Sequence, residues 1–221
     1  MVTVVALIAA FNEEAHIKAV VRATRPLVES VVVVDDGSTD ATAAHAESAG
    51  AIVLRHEHNR GKGCAVRTGL AYVLSQTCSH VLLLDADLQH DPAEIPKLLE
   101  RAPACDFVIG ERQFRKESMP RARYFSNLIG SAILSRLIGT TVVDSQSGFR
   151  LVRADWLRRV RLTGTRYEIE TEMLIKIVRA GAVVDRVVLD RLEYDTAQSK
   201  IRPFRDTFRT CMLALKYRFL N

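Results

Sequence analysis

The chain has 221 residues, 48% apolar and 26% charged, the proportions of a globular protein with a full core rather than of a fibrous or low-complexity one. Its 31 Lys and Arg exceed its 26 Asp and Glu by a net charge of +5, and the surplus lies wholly in Lys200 to Asn221, where six cations meet only Asp206. A basic charge confined to one terminal segment, without aromatic stacking platforms on strands, argues against a nucleic-acid-binding protein.

No stretch reaches the ~18 uninterrupted apolar residues of a membrane span. The opening MVTVVALIAAFNEE has no basic n-region, so no signal peptide is expected. Cys64, Cys78, Cys105 and Cys211 show neither CxxC nor metal-ligand spacing and read as reduced thiols of a cytoplasmic protein.

Strand and helix signals alternate from the start. Val2 to Ala9 is a continuous β-branched run, expected of a strand covered on both faces. Asn12 reads as a helix N-cap, with Glu13 and Glu14 in the first turn and Ile17, Val20 and Val21 as the apolar stripe. Strands follow at Ser30 to Val34, Ala51 to Leu54, His80 to Leu84 and Asp106 to Ile109. Between them lie helices from about Asp40 to Gly50, from Gly61 to Ser75, and after Asp91-Pro92 as cap and first position. Beyond Gly110 come an amphipathic segment (Arg121 to Ile138), a loop (Asp144 to Arg150), a helix from Glu168 closed by Gly181, a strand (Ala182 to Leu189) and a basic helix (Pro203 to Leu220). The order predicts an α/β fold: one Rossmann-like, mostly parallel sheet with helices on both faces, in a single domain.

Open parallel sheets bind ligands beyond the carboxyl ends of their strands. Asn12-Glu13, Asp35-Asp36 and Asp85-Ala86-Asp87 each follow a predicted strand, so three acidic clusters are expected at one rim. Asp85 and Asp87, two apart, point to one side, and Gln89 continues the series. Crowded carboxylates call for a cation, and Mg²⁺ or Mn²⁺ held with phosphate oxygens suits this DxD pattern. Arg60 and Lys62 lie between glycines, where backbone N–H groups could cradle a phosphate or merely open a helix. His56, His58 and His90 have no metal-site spacing and read as exposed loop residues; Trp156 reads as packing. A Rossmann oxidoreductase would carry GxGxxG after the first strand, which is absent.

The segments AAFNEE, VVDDGSTD, NRGKGCAVRTGL, LLDADLQHDP, GER, DSQSGFR, ETEML and QSKIRPFRD, in this order, resemble family 2 glycosyltransferases of the GT-A fold. Dolichyl-phosphate mannose synthases and bacterial polyprenyl-phosphate glycosyltransferases are the most similar branch. The resemblance runs from about Val4 to Arg209. It implies that Ala9, Phe11 and Glu13 line the nucleotide base and ribose, with Ala9 where many relatives carry proline. It places Val33 and Asp35 at the base, and Asp85, Ala86 and Asp87 at ribose, diphosphate and metal, with Asp87 and Gln89 as the direct metal ligands. Arg112 would lie near the donor phosphates or sugar, although Gly-Glu-Arg stands where Gly-Ser-Arg is commoner. Arg150 would hold an acceptor phosphate, and Lys200, after Ser199, would reach the diphosphate from a loop. Among Glu168, Glu170 and Glu172, the resemblance favours Glu172 as the residue facing the site.

The implied reaction is inverting, metal-dependent and non-processive: a hexose passes from a nucleotide-sugar, of GDP-mannose or UDP-glucose type, to a polyprenyl phosphate. That acceptor is already largely dianionic and needs no protein base. A hydroxyl acceptor would need one, and Asp144 is the acid available. A sugar-1-phosphate nucleotidyltransferase is the further alternative, disfavoured because no Gly-rich loop follows the first strand. The expected division is 1–202 as the glycosyltransferase domain and 203–221 as a basic amphipathic helix. Phe204, Phe208, Met212, Leu215 and Phe219 recur there among cations, as on helices that lie against anionic membrane. The expected location is therefore cytoplasmic and peripheral to the membrane, with room for a separate membrane-protein partner.

Overall fold

The computed structural model describes residues 2–112, 131–132, 135–136, 139 and 147–190. Within them lie strands β1 (Val4–Ala10), β2 (Ser30–Asp35), β3 (Ile52–Arg55), β4 (His80–Asp85), β5 (Phe107–Arg112), β6 (Arg150–Arg153) and β7 (Val184–Leu189). They form one sheet in the order β3-β2-β1-β4-β6-β5-β7. Every pairing is parallel except those of β6, which runs antiparallel between β4 and β5. The helices are α1 (Ile17–Thr24), α2 (Thr42–Ser48), α3 (Lys62–Leu74), α4 (Ile95–Leu99), α5 (Ala154–Arg159) and α6 (Glu168–Arg179).

Strand residues alternate between two cores. Val5, Leu7, Val32, Val34, Val81 and Leu83 pack with Val66, Leu70, Ile169 and Met173 beneath α3 and α6. Ala6, Ile8, Val31, Val33, Leu82 and Leu84 pack with Ile17, Val20, Ala46, Ile95 and Leu98 beneath α1, α2 and α4. Covering both faces explains the unbroken apolar runs, each fully buried Leu, Ile or Val contributing about 1.5–3 kcal/mol. The chain steps outward from β1 to β3, then crosses by α3 to β4 on the other flank of β1. The strand order therefore reverses between β1 and β4, where a crevice opens at the carboxyl ends.

Most expected elements appear within two or three residues of their expected ends. Asp91 caps the turn at Pro92 as expected, its side chain accepting from the Ala93 N–H at 2.9 Å. Asn12 does not cap α1: its φ is 54, and α1 begins at Ile17 after a turn from Glu13. Its side chain instead accepts from the Thr39 N–H (3.0 Å), while its own N–H donates to Ser38 Oγ (2.9 Å), tying the end of β1 to the loop after β2. The antiparallel strand β6 and helix α5 were not expected, since four strand residues and six helical ones are too few to show a period. The basic helix expected over Pro203 to Leu220 lies outside the described residues.

Candidate functional site

The carboxyl ends of β1, β2 and β4 stand level. Ala9 pairs with Asp85 and with Val34, and Ala10 pairs with Asp35. The three acidic clusters thus reach one rim, but strand alternation divides them between the faces. Asp35 follows Val31 and Val33 onto the α1–α2 side, where it is fully buried. Its Oδ1 accepts from the Ser38 N–H (3.1 Å), and Oδ2 lies 3.1 Å from Arg55 Nε as an ion pair without hydrogen-bond alignment. Asp85 follows Val81 and Leu83 onto the α3–α6 side.

There Lys62, the first residue of α3, holds the centre. Its Nζ donates to Asp85 Oδ1 and to Glu170 Oε1, both at 2.5 Å, and lies 5.8 Å from the centre of the Tyr167 ring. Burial alone would lower the ammonium's pKa; the two carboxylates outweigh it and hold it above the ordinary lysine range. Gly148 backs Asp85 so closely that a Cβ there would meet the carboxylate and displace it. Asp87, two residues on, accepts from the Gln89 N–H at 3.1 Å. Burial, and then the charge of Asp85, push its carboxyl up to about 6; Glu13 adds to this, while the Gln89 N–H and Lys62 oppose it.

Asp85 and Glu170 thus hold one ammonium between them, and Asp87 beside them feels the charges of Asp85, Lys62 and Glu13. Glu13 also bonds His16 Nδ1 at 3.1 Å. Phe11 stands half-buried just past β1, and Ala86 is buried behind Asp87. Val33 is fully enclosed in the core, so its side chain does not line the rim.

The backbone cradle raised for Arg60 and Lys62 does not form. The Arg60 and Gly61 N–H groups donate to Asp36 at 3.0 and 2.7 Å, and those of Gly63 and Cys64 turn to the Thr165 carbonyl. What the sequence missed is the Lys62 side chain, whose partners come from β4 and α6, far away in the chain. Glu170, not Glu172, is the acid of α6 beside Asp85. Glu172 is fully buried and accepts from the Thr163 and Gly164 N–H groups and from Lys176. Burial would raise its pKa, but these donors bring it down to about 2.

Arg150 is also fully buried, its Nε donating to the Ser147 carbonyl at 2.7 Å and Nη1 to the Glu170 carbonyl. Its guanidinium joins the loop behind Asp85 to the start of α6. His58 is exposed as expected, but His56 and His90 are buried, His56 between Asp36 and Thr68 and His90 against the Phe149 ring at 5.4 Å. Trp156 packs on the core, with the Arg159 guanidinium 4.7 Å from its ring centre. Cys64, Cys78 and Cys105 are free thiols. Arg112 ends β5, and its side chain lies outside what is described, as do Asp144, Ser199 and Lys200 entirely.

Among the described residues no group of three or more His, Cys, Asp and Glu could by itself hold a metal ion. No described helix is long and apolar enough to cross a membrane.

Residues 5–161 match the model of glycosyl transferase family 2. An undecaprenyl-phosphate mannosyltransferase of Micrococcus luteus is 30% identical over 77% of this chain and 75% of its own length. The UDP-N-acetylglucosamine–dolichyl-phosphate N-acetylglucosaminyltransferase of Methanococcus voltae is 31% identical over 76% and 77%. Among solved structures, glucosyl-3-phosphoglycerate synthase from Mycobacterium tuberculosis, in complex with Mn²⁺, UDP and phosphoglyceric acid, superposes with a TM-score of 0.78 at 24% identity, covering 98% of this chain and 78% of that one. The sheet is that of GT-A glycosyltransferases, as the sequence motifs implied.

Proposed function

Because the chain belongs to glycosyl transferase family 2, we propose that it transfers a hexose from a nucleoside-diphosphate sugar to a polyprenyl-phosphate acceptor, with inversion and with a divalent cation. The observation that carries this reading is the Lys62 ammonium held by Asp85 and Glu170, with the Asp87 carboxylate beside them, at the strand-order reversal. Relatives named for undecaprenyl-phosphate and dolichyl-phosphate support the acceptor class.

The residues present fit a dication. Burial and the charges of Asp85 and Glu13 raise the pKa of Asp87 more than Lys62 and the Gln89 N–H lower it, the state of a carboxylate that gains from a cation beside it. Asp85 is already served by Lys62, so Asp87 would hold the ion together with phosphate oxygens, an arrangement typical of Mg²⁺ and Mn²⁺; Gln89 stands beside it. When bound, such an ion neutralises charge on the departing nucleoside diphosphate.

The chain's own residues do the rest. Lys62 stays protonated and offers its ammonium to the diphosphate; Asp85 and Glu170 fix where that ammonium stands, so little reorganisation accompanies the reaction. Phe11 flanks the place for the base and Glu13 the ribose, while Asp35 is committed to Ser38 and Arg55 on the other face of the sheet. Arg112 and Lys200 supply further positive charge to the leaving group. Arg150, fully buried and donating to the Ser147 and Glu170 carbonyls, braces the loop behind Asp85 instead of meeting an acceptor phosphate as the sequence motif implied. Residues 1–202 make the catalytic unit, and residues 203–221, by composition, bring it to anionic lipid.

The test is transfer of radiolabelled sugar from GDP-mannose, UDP-glucose and UDP-N-acetylglucosamine to undecaprenyl or dolichyl phosphate with Mg²⁺ or Mn²⁺. The reading expects one donor to label the lipid in an ion-dependent way. Label reaching only a hydroxyl acceptor would favour the Asp144 alternative, and no transfer from any donor would overturn the reading.

A further inference from the structure

The group joining α3 to β2 has no part in the mechanism above, yet it fixes the residue on which that mechanism turns. Asp36 is 3% exposed and His56 7%. His56 Nδ1 lies 2.7 Å from Asp36 Oδ1, and its Nε2 lies 2.9 Å from Thr68 Oγ1 on the second turn of α3. The Asp36 carboxylate accepts from the Arg60 and Gly61 N–H groups, at 3.0 and 2.7 Å. With Nδ1–H donating to Asp36, Nε2 accepts from the Thr68 hydroxyl, so every polar atom in the chain of bonds has a partner.

These bonds converge on the peptide before Lys62. Gly61 stands at φ 98, and a Cβ there would meet the Thr165 carbonyl at 2.5 Å, so the entry to α3 has one shape and Asp36 holds it. Lys62 follows directly, its ammonium at 2.5 Å from both Asp85 and Glu170. A side chain that must reach two carboxylates from different elements depends on where its own backbone begins. Thr68, His56 and Asp36 set that point from the side of β2 and β3.

We propose that Asp36 and His56, braced by Thr68, are positioning residues that act through Lys62: they set the ammonium's place and so govern affinity for the donor diphosphate without touching it. This rests on the donor-binding reading above. A purely structural role would lower stability and leave the nucleotide affinity of the folded protein unchanged; a positioning role would change affinity, and only while Lys62 is present.

The experiment measures Kd for UDP and GDP with Mn²⁺ by calorimetry on the full chain. The variants are His56→Ala, His56→Asn, Thr68→Val, Lys62→Met and the double variant His56→Ala/Lys62→Met. Displacement of a binding group by a fraction of an ångström should weaken nucleotide binding about tenfold in His56→Ala and about threefold in Thr68→Val. His56→Asn, whose amide can donate to Asp36, should recover most of the loss. In the Lys62→Met background, His56→Ala should add less than about a twofold change, the signature of two residues acting through one contact.

Equal costs of His56→Ala in both backgrounds, or unchanged Kd in folded His56→Ala and Thr68→Val, would overturn the proposal while leaving the donor reading intact. If His56→Ala does not fold, Thr68→Val, which loses only one hydroxyl, decides on its own: unchanged affinity overturns the proposal. Failure of the wild-type chain to bind either nucleotide would sink the donor reading, and this proposal with it.

Discussion

Asp87→Asn should make the protein more stable as it removes the proposed ion ligand. The Asp87 carboxyl is pushed from 3.8 to about 6, chiefly by burial and then by the charge of Asp85. A rise of roughly two pKa units corresponds to about 3 kcal/mol against the ionised form, and sharing of the repulsion with Asp85 brings the expected gain to about 1–2 kcal/mol. The sign follows from linkage. Below pH 3.8 the carboxyl is protonated in folded and unfolded chains alike; as pH rises towards 6 the unfolded chain loses its proton first, and native stability falls. Asparagine keeps the shape without the charge. Its advantage should be small near pH 4 and complete above about pH 7, appearing as a rise in melting temperature of about 3–6 °C for a chain of this size. Thermal melting of both proteins from pH 4 to 8, without divalent ions, is the assay. Added Mn²⁺ should then stabilise the wild type and not the variant. An Asp87→Asn protein no more stable than wild type at pH 8, or with a gain independent of pH, would refute the reasoning.

Lys62→Met should cost about 2 kcal/mol in chemical denaturation, because the partly buried Asp85 and the more deeply buried Glu170 lose the ammonium they share. Gly148→Ala forces a Cβ onto the Asp85 carboxylate and should lower sugar transfer about a hundredfold while costing only about 1–2 kcal/mol of stability; near-normal transfer would contradict the placement of Asp85. Glu172→Gln should cost about 2–3 kcal/mol at pH 7, since the native carboxylate is held down at about 2 by the Lys176, Gly164 and Thr163 donors. That contribution is complete above pH 4.5 and fades as pH falls towards 2, so melting curves of variant and wild type should converge in acid.

The sheet was legible because its signals are local. Runs such as Val31 to Val34 and Val81 to Leu84 are long enough to declare strands buried on both faces, and the acids that end them mark the rim. β6 escaped because its four residues owe their strand character to β4 and β5 on either side. The site was half legible. Asp85 and Asp87 follow from strand alternation, but the same alternation sends Asp35 and Val33 to the opposite face, which motif position alone does not reveal. Lys62 read as part of a glycine-rich turn because its carboxylate partners lie 23 and 108 residues away. On α6, Glu170 and Glu172 differ by two positions, about 200° around a helix, so one reaches Lys62 while the other turns to the loop at Thr163.

The most direct measurement is anomalous diffraction from crystals grown with Mn²⁺ and UDP or GDP. A manganese peak against the Asp87 carboxylate, with diphosphate oxygens bridging it to the Lys62 ammonium, is the predicted result. A nucleotide seated elsewhere, or manganese bound away from Asp87, would contradict the account.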